Sequence, residues 1–204
     1  MVYRVVALLA RTHGLNGLQA LLNSTKYQVV AIATHRLLPK SESEERAERS
    51  DFAHYQTLAT QHDIPLYTVD SKAEQQKLEE TLLNMDYDFL ASISWRRLIP
   101  LSLINHARFG GVNLHRGRLP DYPGAEPIKQ ALSKGDKTVV ITAHILDEQI
   151  DHGRTLCVYE HPVTHQDIER IKDELTSHFG PLLLQALDGR RDLRDFMDKK
   201  TERT

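Results

Sequence analysis

Residues 3–34, YRVVALLARTHGLNGLQALLNSTKYQVVAIAT, form the stretch that decides the fold. Residues 3–10 are almost continuously apolar, which predicts a strand buried on both faces, and residues 15–23 have the spacing of an amphipathic helix. Residues 27–34 predict a second strand. A strand, a helix and a strand in this order are typical of a doubly wound α/β fold, which binds ligands beyond the carboxyl ends of its strands.

The predicted turn before the first helix, residues 12–17 with the sequence THGLNG, lies where such a fold binds its ligand. It lacks the Gly-x-Gly-x-x-Gly pattern in which backbone N–H groups approach a pyrophosphate. The sequence therefore does not predict a dinucleotide site, but residues 13–17 are expected to touch a ligand.

The rest of the chain continues the alternation, so we expect one domain over residues 1–204 with a mostly parallel twisted sheet and helices on both faces. Further strands are predicted at residues 64–69, 88–94, 109–115, 137–145 and 154–162, and helices at residues 52–61, 73–84, 100–106, 127–134 and 167–187. A kink is expected at Gly180-Pro181, and the charged tail from Gly189 is expected to fray. Residues 40–51, KSESEERAERSD, predict a solvated segment without chemistry.

Composition excludes several classes of protein. Lys plus Arg number 26 and Asp plus Glu 28, so there is no global basic field for binding nucleic acid. The single cysteine, Cys157, excludes an internal disulfide and a thiolate metal cluster. The N-terminus has no signal-peptide pattern and the chain has no long apolar span, so we expect a cytoplasmic protein without a membrane partner.

Residues 109–115, FGGVNLH, carry the first chemical signal. In a strand, Val112 and Leu114 face one side while Asn113 and His115 face the other. An amide N–H and an imidazole N–H aimed at one point can hold the negative oxygen of a tetrahedral intermediate. Asp151, in an acidic loop, can keep the imidazole charged or help to deprotonate an attacking amine. These residue types indicate transfer of an acyl group.

A longer pattern around these residues resembles the signature of the folate-dependent formyltransferases: Asn113-x-His115-x-x-x-Leu119-Pro120-x-Tyr122-x-Gly124-Ala125, then Thr142-x-His144, then Asp151-x-Gly153. That family includes glycinamide ribonucleotide, methionyl-tRNA and sugar N-formyltransferases. The resemblance is densest over residues 85–158 and extends more weakly over the whole chain. It implies a single Rossmann-like α/β domain and 10-formyltetrahydrofolate as the formyl donor.

The resemblance also implies roles for individual residues. Asn113 would bind the formyl oxygen, His115 would act as electrophile and acid, and Asp151 would assist amine deprotonation. We assign the donor site to Trp95, Arg96, Leu98, His144, Asp147 and Ile150, and the acceptor site to His13, Gly14, Asn16, Arg116, Gly117 and Arg118.

The acceptor stays open between two small amines. The glycinamide ribonucleotide branch holds its substrate phosphate with a Gly-Ser-Asn turn, and this chain lacks that serine. It also has Arg-Gly-Arg-Leu-Pro at residues 116–120, a variant that occurs in branches acting on sugars and other amines. Chain length favours glycinamide ribonucleotide, whereas the two departures favour an amino sugar nucleotide or another amine. The methionyl-tRNA branch carries an extra C-terminal domain for which no length is left, so we expect no nucleic acid partner.

Three other interpretations compete with formyl transfer. Histidines and acids crowd in the second half of the chain but show no recognised ligand spacing, so we expect no metal; they are His144, Asp147, Asp151, His152, His161 and His165. A serine hydrolase would need Gly-x-Ser-x-Gly, which the sequence lacks. A folate-binding module without turnover would not require the Asn, His and Asp together. A homodimer is compatible with all of these features.

Overall fold

The computed structural model describes the backbone of residues 1–201 and the side chains of residues 1–194. Its strands are β1 (Tyr3–Leu9), β2 (Tyr27–Thr34), β3 (Leu66–Thr68), β4 (Phe89–Ile93), β5 (Gly111–His115), β6 (Thr138–Ile145) and β7 (Thr155–Pro162). They form one sheet in the order β3-β2-β1-β4-β5-β6-β7. The first five strands are parallel and the last two are antiparallel. The predicted mostly parallel α/β sheet is confirmed.

The described residues form seven helices, of which the first five connect strands and the last two follow β7: α1 (Arg11–Leu22), α2 (Phe52–Gln61), α3 (Lys72–Leu82), α4 (Leu101–His106), α5 (Pro127–Ser133), α6 (Ile168–Thr176) and α7 (Phe179–Thr201). Along β1, Val5 and Ala7 pack with α1 and α7, while Val6 and Leu8 pack with α3 and α4. Helices on both faces explain why β1 is apolar throughout. None of the helices described is both long and apolar enough to cross a membrane.

The first helix begins earlier than predicted. α1 starts at Arg11, directly after β1, so residues 13–17 are helical and the predicted turn is wrong. The φ of 68° at Arg11 redirects the chain into the helix. Gly14, which suggested a turn, is instead a point of close packing, because a Cβ there would lie 2.5 Å from the Tyr55 hydroxyl.

The predicted long helix of residues 167–187 is two helices, α6 and α7, separated by Ser177 and His178. The break precedes the expected kink at Gly180-Pro181. Asn16 of α1 explains the position of the break between α6 and α7. The Oδ1 atom of Asn16 accepts a 2.7 Å hydrogen bond from the Gly180 N–H in the first turn of α7. Pro181 lies in that same turn, where a missing N–H costs little.

Two charged segments are more ordered than their composition predicts. α7 continues through the tail expected to fray as far as Thr201, the last residue whose backbone is described. Within residues 40–51, the Arg49 side chain is only 1 % exposed and forms a bidentate pair with Asp51, with a 2.9 Å bond from Nε. Arg49 also donates to Thr34 at the end of β2. A bidentate pair offsets much of the desolvation of two charges, so this part of the segment is not solvated.

His35, just after β2, is a buried histidine that the structure holds uncharged. Its Nδ1–H donates to the Val69 carbonyl at 2.5 Å, and its Nε2 accepts from the Arg96 backbone N–H at 3.1 Å. A second proton, on Nε2, would therefore point at the Arg96 N–H, which is itself a donor. Burial, together with the nearby Arg96 charge, lowers the pKa of His35 to about 3.

This pKa predicts how stability depends on pH. The unfolded chain protonates His35 near its ordinary pKa of 6.5 while the folded chain resists until about 3, so His35 destabilises the fold as pH falls between those values. The expected contribution is about 1.4 kcal/mol per pH unit. Urea unfolding of wild type and of His35→Gln over this range should show the weaker pH slope in the variant. Parallel slopes would contradict the prediction.

Candidate functional site

The centre of the candidate site is built by the antiparallel pairing of β5 with β6. Asn113 lies opposite His144, and His115 lies opposite Thr142. Directly opposed residues project to the same face of a sheet, so these polar side chains share one face. Val112 and Leu114 project to the other face and join the core. The alternation predicted for this strand is confirmed.

Asp151 comes to the same place from the loop after β6. Its Oδ2 lies 3.4 Å from His115 Nδ1 and its Oδ1 lies 3.4 Å from His144 Nε2. The Gly124 N–H donates to Oδ2 at 2.9 Å. The structure thus brings Asn113, His115 and Asp151 together. His144 lies between Asn113 and Asp151 and is close to both.

His144 orients the Asn113 amide. Its Nδ1–H donates to the Ile145 carbonyl at 2.9 Å, so in the neutral ring Nε2 is an acceptor. Asn113 Nδ2 lies 3.1 Å from that Nε2 and donates one of its two N–H groups to it. The second N–H stays available for the oxygen of a ligand.

His115 and Asp151 have opposite tendencies to ionise. Burial lowers the pKa of His115, although the Asp151 charge and a 2.7 Å bond from Nε2–H to the Tyr122 carbonyl act in the other direction. For Asp151, burial favours a higher pKa, but the positive charge that His115 carries once protonated and the Gly124 N–H that donates to Oδ2 act against it, and the net shift of the pKa is downward. Near neutral pH the carboxylate is charged and the His115 ring is uncharged.

The loops that carry these groups are held closely. The Thr142 hydroxyl donates to the Gly117 carbonyl at 2.6 Å and accepts from the Leu119 N–H at 3.3 Å, joining the loop after β5 to β6. Asp151 has a φ of 58°, in the left-handed region. Gly153 lies so close to β6 that a Cβ there would be 1.7 Å from the Ile145 oxygen. Only glycine fits at that point.

The predicted donor-site residues occupy different environments. Trp95 is half-buried and stacks on His35 with 4.4 Å between ring centroids. The Arg96 guanidinium donates to the Leu37 carbonyl at 2.8 Å and pairs with Asp70, so it is already occupied. Leu98 and Ile150 are 56 % and 66 % exposed.

Asp147, also assigned to the donor site, accepts a 2.9 Å hydrogen bond from the Gln149 N–H within its own loop. That contact shapes the loop which carries Asp151, four residues after Asp147. The sequence singled out Asp147 as a ligand contact, whereas its observed bond is local.

The predicted acceptor-site residues are divided by the structure. Asn16 bonds to Gly180 of α7, and a Cβ on Gly14 would meet the Tyr55 hydroxyl, so the contacts found for these two residues are with elements other than β5, β6 and the Asp151 loop. Gly117 is enclosed, because a Cβ there would lie 2.7 Å from His115 Nε2. Arg118 is bound to Glu160 at 3.0 Å and to Thr138 at 3.1 Å.

His13 and Arg116 remain as candidates on the acceptor side. His13 is buried, packs against the Phe179 ring in a tilted arrangement and bonds through Nε2 to the Ser94 hydroxyl. Ser94, at the end of β4 with a φ of 55°, carries no sequence signal and was missed. The roles of the Tyr122 carbonyl and the Gly124 N–H were missed too, because backbone groups leave no mark in side-chain patterns.

Residues 4–187 match the family model described as formyl transferase, which is most of the chain. The chain belongs to the formyl transferase family. Members of this family use 10-formyltetrahydrofolate as the formyl donor. Among described side chains, no group of three or more His, Cys, Asp or Glu residues is arranged to hold a metal ion.

Curated relatives of this chain include methionyl-tRNA formyltransferases. That of Sulfurihydrogenibium sp. is 29 % identical over 173 residues, which are 84 % of this chain and 54 % of the relative. That of Clostridium perfringens is 28 % identical over 174 residues, with the same shares of each chain. The chain therefore spans about half the length of the curated relatives that it matches.

Solved structures share the fold of this formyl transferase domain. Glycinamide ribonucleotide transformylase 1 from Geobacillus kaustophilus superposes with a TM-score of 0.70 at 22 % identity, covering 92 % of this chain and 97 % of that one. A formyltetrahydrofolate deformylase from Pseudomonas syringae gives a TM-score of 0.72 at 20 % identity, covering 96 % of this chain and 62 % of that one.

Gly153 provides a test of how the site is positioned. In Gly153→Ala, the Cβ that would lie 1.7 Å from the Ile145 oxygen forces the Asp151 loop to move by more than an ångström. A shift of that size is expected to reduce formyl transfer by about 100-fold. Gly189→Ala is the control, because nothing lies within 4 Å of a Cβ there, and it should retain full turnover. Equal turnover in both variants would contradict the prediction.

Proposed function

We propose that this protein is an N-formyltransferase that moves the formyl group of 10-formyltetrahydrofolate to the primary amine of a small acceptor, with residues 1–204 acting as one catalytic domain. The convergence of Asn113, His115 and Asp151 around the end of β5 carries the proposal. A module that only binds folate has no need for an amide donor, an imidazole and a carboxylate at one point.

Asn113 stabilises the charge that develops on the formyl oxygen. When the amine nitrogen bonds to the formyl carbon, the C=O electron pair moves to oxygen, and the second Asn113 N–H is the donor available for it. His144 holds the amide in place through the first N–H. His115 adds a ring N–H when its bond to the Tyr122 carbonyl is exchanged for one to the ligand.

His115 and Asp151 manage the proton of the amine. The lowered pKa of Asp151 makes it a weak base, which favours electrostatic support over direct proton removal. An uncharged His115 can accept the amine proton and form an imidazolium beside the carboxylate, 3.4 Å away. That proton then goes to the folate nitrogen as its bond to the formyl carbon breaks, which leaves tetrahydrofolate and the formamide.

The donor site suits a flat, partly apolar ring system. Trp95 offers a half-buried aromatic side chain, and Leu98 and Ile150 offer exposed apolar ones. The Arg96 guanidinium is held by Asp70 and Leu37, so its part in this site is to hold the loop after β4.

The acceptor is best identified by a panel of amines. Purified protein is mixed with 10-formyltetrahydrofolate and glycinamide ribonucleotide, amino sugar nucleotides or methionyl-tRNA, the last because relatives bear that name. Release of tetrahydrofolate is followed by absorbance, and the formylated product is identified by mass spectrometry. Folate binding without formylation of any amine would instead favour a binding protein.

Variants of the three central residues test the mechanism. Asn113→Ala, His115→Ala and Asp151→Asn should each lower turnover by about 100-fold or more with little change in melting temperature, because each removes a group that acts in the transition state. Asn105→Ala, His54→Ala and Asp173→Asn change exposed residues of the same types on α4, α2 and α6 and should match wild type. Full turnover in all three central variants would refute the mechanism.

A further inference from the structure

Arg116 faces a different part of the site from His115. Arg116 directly follows β5, and the charges that act on it include Arg11 of α1 and Glu169 of α6, which cover the side of the sheet opposite the Asn113 face. Its charge acts on His13 and on Arg11 at the start of α1, which places all three basic groups at the carboxyl edge of the sheet.

No acidic side chain in the described part of the chain neutralises Arg116. The acids whose charge reaches it are Glu169 and Glu42, and each already has another partner. Glu42 pairs with Arg11 at 2.5 Å, and Glu169 pairs with Lys172 at 2.6 Å. Within the residues whose side chains are described, the Arg116 guanidinium forms neither a hydrogen bond nor an ion pair.

A partly buried guanidinium without a partner lowers the stability of the fold unless a bound anion pairs with it. Arg116 is half-buried, and burial together with the Arg11 charge lowers its pKa, because a partly desolvated guanidinium beside another cation is disfavoured. Arg118, two residues further on, shows the usual outcome for a structural arginine in this loop, because Glu160 and Thr138 accept its hydrogen bonds.

His13 adds an uncharged polar group to the same region. The Ser94 hydroxyl and the Phe179 ring hold its imidazole. Burial, followed by the charges of Arg116 and Arg11, keeps the pKa of His13 well below its ordinary value, so it adds no positive charge to compete with Arg116.

We infer that Arg116 binds an anionic group of the acceptor, a phosphate or a carboxylate, and so selects anionic amines over neutral ones. A guanidinium presents its N–H donors as a planar fork that matches two oxygens of either group. This inference rests on the proposed function for the identity of the ligand as acceptor, but the anion site itself does not require turnover.

The first test measures anion binding without catalysis. Inorganic phosphate is titrated into wild type, Arg116→Gln and Arg108→Gln and followed by phosphorus NMR; Arg108 is exposed before β5, at the opposite edge of the sheet. Loss of a charged hydrogen bond should weaken phosphate binding by about 10-fold or more in Arg116→Gln and leave Arg108→Gln unchanged. Equal binding in all three proteins would overturn the inference, and melting temperatures check that each variant is folded.

The second test separates selectivity from catalysis. The kcat/KM for formylation is compared for 2-aminoethyl phosphate, β-alanine and ethanolamine, which differ in their anionic group. Arg116→Gln should lower kcat/KM by about 10- to 100-fold for whichever anionic amine wild type prefers, with ethanolamine unaffected. An unchanged preference would overturn the inference. Absence of formylation of these amines and of every amine in the acceptor panel above, alongside Arg116-dependent phosphate binding, would instead refute the proposed function and leave the anion site standing.

Discussion

The pairing of β6 against β5 is the interaction on which the candidate site depends. β6 also joins the core of the parallel strands, because Val139, Ile141 and Ala143 pack in the same cluster as β1, β4 and β5. The antiparallel addition sets the register that places His144 beside Asn113. It also brings the loop after β6 back over the end of β5, where Asp151 meets both histidines. A slip of β6 by one residue would turn His144 and Thr142 towards the core and away from Asn113 and His115.

Contacts of the loops, in addition to the hydrogen bonds between β5 and β6, hold the two strands in this register. Thr142 binds both a carbonyl and an N–H of the loop after β5, so the strand and the loop cannot slide independently. The close approach of Gly153 to the Ile145 carbonyl anchors the other loop. Between these anchors the Gly124 N–H aims the Asp151 carboxylate. The reactive groups thus rest on backbone contacts that leave little freedom for rotation.

Periodicity was enough to predict the sheet, since apolar runs and alternation depend on burial that the strands themselves create. The sequence predictions are wrong where the local structure depends on a residue that is distant in sequence. Asn16 ends the continuity between α6 and α7, and Tyr55 requires the glycine that suggested a turn in α1. Arg49 and Asp51 form a buried pair inside a segment whose composition is that of a solvated loop. In each case the cause is a contact between residues of different elements, which local patterns do not contain.

At the carboxyl edge of the sheet, the groups that can handle protons and the positively charged groups lie on different faces. The sequence motif does not indicate this separation. Asn113, His115 and His144 share one face of the sheet, where a carboxylate and two imidazoles surround an available amide N–H. Arg116 belongs to the other face, with His13 and Arg11. A formyl carbon bound at the end of β5 therefore has proton-handling groups on one side and uncompensated positive charge on the other. An amine carrying an anionic group can satisfy both sides at once, because its nitrogen reaches the reacting carbon while its charge stays with the arginine.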